Sequence, residues 1–215
     1  MEKEIFKVEP IVIYPRCIEL TSKQFNCHLC HDQSECVIYQ PRSMCINPYK
    51  NHKNGCPNFG VLPTCPPNIP CMYDEIFDCS DVYAVVTKFY LEEYFNKRRE
   101  RRPDLAEGQI RNIRAWQPIA IKENDYAISD FYQENPDKKD YVATRLLECM
   151  GVDVINTMKK VGVEITFPVK EYAYRVAFIA KVYEETLKKY GFEVKGEKDK
   201  RKKGMLTLVK KKELV

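Results

Sequence analysis

The stretch "KEYAYRVAFIAKVYEETLKKYG", Lys170 to Gly191, decides what kind of fold the chain adopts. Val176, Ile179, Ala180, Tyr183, Leu187 and Tyr190 fall on one side of a 3.6-residue repeat, and Gly191 supplies a stop. That spacing predicts one amphipathic helix over 170–191. Just before it, "VEITFPV" (163–169) is β-branched and short enough for a strand. After it, "FEV" and "KGMLTLVKKKEL" read as two closing strands around the charged turn "KGEKDKRKKG".

Working toward the N-terminus, "DYVATRLLECMGVDVINTMKKVG" (140–162) places Val142, Leu146, Met150, Val154 and Met158 four residues apart. This too predicts a helix, or two in succession broken at Gly151, with Asp153 as a local cap and Gly162 as the stop. Residues 118–140 are polar and follow Pro118, so they read as loop. "EGQIRNIRAWQ" (107–117) and "LEEYFNKRRERR" (91–102) read as helices. "DVYAVVTKFY" (81–90) reads as a strand buried in its middle. "IFKVEPIVIY" near the start reads as an edge strand, because Pro10 removes a ladder donor. The order of strands and helices predicts an α/β or α+β domain, a small mixed sheet with packed helices. An irregular Cys-rich lobe is inserted after the first strand. Residues 1–80 would then hold that strand and the lobe, and residues 81–215 the α/β domain with a basic C-terminal hairpin.

At 215 residues the chain can bury one sizeable core or carry one domain with an appended module. Its 44% hydrophobic and 31% charged residues are those of a folded globular protein. No apolar run approaches a membrane span, and "MEKEIFKVEP" lacks the apolar stretch of a secretory signal, so a cytoplasmic, membrane-free protein is expected. The net charge of +4 is uneven. "KRRERR" (97–102) and the segment from Glu193 onward, with nine basic and four acidic residues, are the basic regions. Together with Arg111, Arg114 and Trp116 the first of these could offer a nucleic-acid phosphate a cationic face with an aromatic stacker. A solvated helix face and a core tryptophan would leave the same pattern.

Ten cysteines are present, and nine lie between Cys17 and Cys79. In a reducing compartment such clustering points to metal ligands rather than disulfides. One group is Cys27, Cys30 and Cys36, with Cys17 or Cys45 within reach. The other is Cys56, Cys65 and Cys71, with Cys45 or Cys79 as a fourth. A C-x2-C pair puts two thiolates around one turn, where both can reach one ion. Zinc and four-iron clusters each use about four such ligands. Cys27-His28-Leu29-Cys30-His31 also spells a haem-attachment motif, but that use leaves Cys36 without a role and needs an export signal. Cysteine followed by proline, as at Cys56 and Cys65, is common beside iron–sulfur ligands. His28, His31 and His52 all lie in the same region, and His31 is the candidate for a further ligand. Cys149 reads as a small apolar core residue. No Ser-His-Asp set, phosphate-cradling glycine string or C-x3-C-x2-C run occurs.

The segment "NGCPNFGVLPTCPPNIP" (54–70), through Cys56, Phe59, Gly60, Cys65, Pro66 and Pro67, resembles the C-x2-[YF]-G-x4-C-P-P segment of an uncharacterised family. This is a family of cysteine-rich predicted metal-binding proteins of archaea and bacteria. Glu148, Gly151, Val152, Asp153 and Val154 resemble a second segment of that family, and Cys27, Leu29 and Cys30 its C-x-L-C segment. The resemblance implies metal binding, with a 4Fe-4S iron–sulfur cluster as the expected centre and zinc as the alternative. A cluster implies electron transfer to a redox partner protein, or an auxiliary cluster-dependent role. Zinc implies a nucleic-acid-binding module or a structural lobe for protein contacts.

Overall fold

A computed structural model describes residues 2–12, 45, 48, 52–62, 65, 73–165, 169 and 171–189. Four strands form one sheet: β1 (Glu2–Val8), β2 (Val82–Tyr90), β3 (Val142–Thr144) and β4 (Tyr172–Ala180). Their order is β1-β2-β4-β3, and every pairing is antiparallel. With helices packed on the sheet, this is the expected α/β class in its α+β form, though the sheet is wholly antiparallel rather than mixed.

The deciding stretch does not fold as one helix. Residues Tyr172–Ala180 run as β4, and only Glu184–Lys189 are helical. The reason is position. β4 lies between β2 and β3 with helices on both faces, so Ala173 and the run Ala177 to Ala180 are buried. A strand covered on both faces loses its polar alternation, and its apolar residues then satisfy a helical repeat as well. The β2–β4 ladder, from Tyr83↔Ile179 to Tyr90↔Tyr172, settles the choice.

Helices cover both faces. Val82, Ala84, Val86, Phe178 and Ala180 pack with Tyr73 and Ile76 of α1 (Tyr73–Ile76). The same cluster takes in Val154 and Met158 of α5 (Val154–Lys160) and Leu187 of α6 (Glu184–Lys189). On the other face, Val85, Ala177 and Ile179 meet Ala127, Ile128 and Phe131 of α4 (Ile113–Glu134). Further along that face, Phe89 and Ala173 meet Leu91 and Phe95 of α2 (Leu91–Arg101), Ile110 of α3 (Glu107–Ile110), and Trp116 and Ala120 of α4.

Two more expectations are corrected. Residues 118–140 are largely helix, because α4 continues through Pro118 to Glu134, capped by Asn112, whose side chain accepts from the Arg114 amide. Residues 140–162 are not a continuous helix. They form β3, a 3-10 turn at Glu148–Met150, and α5. Gly151 sits between them at φ 90, a conformation in which a side chain would be strained. Val142, Met150, Val154 and Met158 still line one cluster, brought there by a strand, a turn and a short helix rather than by one helical stripe. Asp153 does cap α5, accepting from the Asn156 amide at 3.0 Å, and Gly162 follows its end at φ 83. Residues 163–165 are not strand, and the rest of that stretch, apart from 169, lies outside the described residues. So do both closing strands and the basic hairpin beyond 189.

β1 and residues 73–80 share the sheet and core of the rest. β1 is an edge strand, as Pro10 suggests, paired along its length with β2. Past β1 the chain is fastened to α5: Ile11 donates to Thr157 Oγ1 at 3.0 Å, and Asp153 donates to the Ile11 carbonyl at 2.8 Å. The Cys-rich segment therefore departs beside α5 and rejoins at Tyr73, which is fully buried. Among the described residues no helix is long and apolar enough to cross a membrane.

Candidate functional site

Of the nine candidate ligands, Cys17, Cys27, Cys30, Cys36 and Cys71 lie outside the described residues, as do His28 and His31. Cys45, Cys56, Cys65 and Cys79 are described and half-buried. The backbone brings two of them together: the Cys56 amide donates to the Cys45 carbonyl at 2.7 Å. From Cys56 the chain makes a series of tight turns. Phe59 donates to Cys56, Val61 and Leu62 donate to Asn58, and Cys65 donates to Leu62, at 3.0–3.2 Å. Gly60, the glycine of the CPNFG string, takes φ 72 within this series, which explains why a residue without a side chain stands there. Val61 and Leu62 are exposed, and local hydrogen bonds run through the segment.

Cys79 is placed differently. Its side chain packs against the α1–β2–α5 cluster, as does that of Cys149, in keeping with the apolar reading of the latter. Burial, and then the carboxylates of Asp74 and Asp78, push the Cys79 thiol up to about 11. Among the described residues no three His, Cys, Asp or Glu side chains gather as a metal cage.

Trp116 is a core residue, 6% exposed and stacked on Phe89 at 6.1 Å. Arg99 and Arg111 share Glu107 and both reach Glu92, and Arg102 pairs with Asp104. Of the two readings of this region, the core tryptophan is the one that holds.

The structure assembles a second polar group that the sequence does not announce. Asn124, fully buried on α4, donates to the carbonyls of Val85 and Arg175 at 3.3 Å and approaches Thr87 Oγ1 at 3.4 Å. Its neighbour Asp125 accepts from Arg145 at 2.6 Å. Arg175 of β4 completes the row, with its guanidinium 5.8 Å from the Trp116 ring centre and its Nε buried without a partner. Burial, and then Arg145, weaken the hold of Arg175 on its proton, while Glu148 strengthens it. Burial raises the Glu148 carboxyl, though water reaches that residue's open surface and tempers the rise. This polar row separates the two apolar clusters on the α4 face. The one hint in the sequence was the helical spacing of Trp116, Ala120, Asn124, Ala127 and Phe131 across the supposed loop.

Comparison with family models, curated proteins and solved structures returns no match.

Proposed function

We propose that this chain is a cytoplasmic metal-binding protein carrying a 4Fe-4S cluster on its Cys-rich segment, with an electron-transfer or auxiliary cluster-dependent role. The observation that carries the reading is the Cys45–Cys56 backbone hydrogen bond, which joins two cysteines eleven positions apart. Thiolates are the soft donors that iron–sulfur clusters and structural zinc both require. We assign Cys45, Cys56, Cys65 and Cys71 as the ligands. Cys79 is the weaker fourth, because its thiol packs into the apolar core beside two carboxylates. On this reading, binding and closure of the segment are coupled, because ligand bonds add order to it.

Protein purified without oxygen should contain iron and sulfide, and absorb broadly near roughly 400 nm from thiolate-to-iron charge transfer. Cys45→Ser and Cys56→Ser should each lose most of that absorbance. A colourless protein with stoichiometric zinc replaces the cluster with a zinc-held lobe. In that case nucleic-acid binding through the basic segments would appear as affinity that falls steeply with salt. Protein purified metal-free, and unable to take up either metal, overturns the reading.

A further inference from the structure

Single exposed apolar side chains are normal on a folded protein. Ile113, Ile119 and Tyr126 of α4 and Ile155 of α5 are of that kind. Val61 and Leu62 differ, because they stand side by side. Val61, at 69%, is the most exposed large apolar side chain among the described residues. Pro57, Asn58 and Gly60 of the same turns are exposed too, and Phe59 is half-buried. Backbone hydrogen bonds give this surface a defined shape. The amides of Val61 and Leu62 both donate to the Asn58 carbonyl, at 3.1 and 3.2 Å, and Gly60 takes the positive φ that precedes them.

Charge and position narrow what this surface fits. In a chain with 31% charged residues, no Asp, Glu, Lys or Arg lies between Lys53 and Asp74. The centres of protein interfaces are depleted of charge in the same way, because a charge desolvated there is costly. Val61 and Leu62 also lie between Cys56 and Cys65, and the Leu62 carbonyl accepts from the Cys65 amide at 3.0 Å. A partner seated on the turn is therefore within a few residues of two of the assigned thiols. Two apolar side chains and part of a third cover far less than the ~1,000 Å² that a lasting interface needs. Contacts that small belong to transient encounters, and electron-transfer pairs are of that class.

We propose that the turn at residues 57–62 is where a one-electron carrier protein docks, through an uncharged apolar contact, to exchange an electron with the centre that Cys56 and Cys65 help to hold. This rests on the iron–sulfur reading above and adds the place of contact to it. One electron passes between the two centres, one being oxidised as the other is reduced, and no bond forms or breaks.

A second copy of the chain presents the same uncharged turn, so the protein is its own probe. Oxidised and reduced forms of the iron-loaded full chain are mixed. Electron self-exchange is read as a broadening of proton NMR lines that grows with protein concentration. Wild type should show it, and the rate should not fall as salt is raised, since the contact holds no attraction for salt to screen. Val61→Ser combined with Leu62→Ser removes apolar surface at exposed positions and adds no charge. It should slow exchange about tenfold with the iron absorbance unchanged. Ile119→Ser on α4 should leave the rate as it is. Iron-loaded protein without self-exchange overturns the proposal, as does exchange that the double variant leaves intact or that salt suppresses steeply. Binding to neutral phosphatidylcholine vesicles that the double variant loses overturns it too, in favour of a lipid contact. Protein without iron fails the iron–sulfur reading itself, and the absorbance shows that before any exchange is measured.

Discussion

The β2–β4 ladder and the turn segment 52–65 keep their shapes by opposite means. β2 and β4 are paired over eight residues and carry buried side chains on both faces. The turn segment has short backbone hydrogen bonds, two glycines at positive φ, and Val61 and Leu62 at 69% and 41% exposure. Apolar burial of about 25 cal/mol per Å² can offset the entropy of ordering the sheet. In the turn segment the exposed Val61 and Leu62 contribute little of this kind. A stretch of turn hydrogen bonds with exposed apolar side chains is one that a bound ligand can order further, and the thiols of Cys45, Cys56 and Cys65 lie in or beside it.

The comparison breaks most readily at Phe178. This ring is fully buried, meets Tyr73 edge-on at 6.0 Å, and joins β4 to α1. Phe178→Ala should cost about 3–5 kcal/mol, from lost transfer energy and the cavity left behind. The midpoint of urea unfolding at unchanged slope measures it. A loss below about 1 kcal/mol would mean that the site collapses freely, and that the sheet is not the rigid partner in this contrast.

What could be read from the sequence follows the same division. β2, the edge strand β1, the Asp153 cap and the Gly162 stop were legible, because each depends on residues close in sequence. β4 was not. Its ladder partners are β2, some ninety residues earlier, and β3, its faces are covered by helices, and none of these leaves a mark on local periodicity. α4 was hidden by Pro118 and by Asn124, a polar residue in the buried stripe. Asn124 is satisfied only by carbonyls of two different strands, so its place in a core could not be inferred from its neighbours. The Arg145–Arg175 pair was illegible for the same reason: Arg175 reaches that row only if its segment is a strand. The cysteines were legible as a composition, and the Cys45–Cys56 contact adds which two lie side by side.

A smaller effect belongs to Asp81, at the entrance to β2. Its carboxylate accepts from the Tyr141 hydroxyl and pairs with Lys7 at 2.9 Å and Lys138 at 3.1 Å. The hydrogen bond from Tyr141, followed by that from Lys7, holds the carboxyl well below its ordinary range. A carboxyl depressed in the folded state stabilises at pH above its unfolded value of about 3.9. That contribution falls away as acid protonates the folded form. Asp81→Asn should therefore cost about 1 kcal/mol at neutral pH. The difference from wild type should shrink as pH is lowered from about 4, and stability against pH by circular dichroism tests this. A difference that stays constant down to low pH would assign the cost to packing rather than to charge.

The smallest effect on the sheet is expected at Cys56, and it sharpens the contrast most. Cys56 belongs to none of the three apolar clusters, whereas Cys79 packs against one of them. In metal-free protein, Cys56→Ser should change the unfolding free energy by no more than about 0.5 kcal/mol, as surface substitutions do. Cys79→Ser puts a hydroxyl against the apolar core and should cost about 1 kcal/mol or more. Metal content should move the other way, lost with Cys56→Ser and kept with Cys79→Ser. Each pair of measurements uses one stability curve and one metal analysis on the same sample. If Cys79→Ser loses the metal and Cys56→Ser keeps it, the ligand set passes through the core, and the two regions are a single unit held by one centre. If the expected pattern holds, the sheet and the thiolate segment are ordered independently, the first by burial and the second by what it binds.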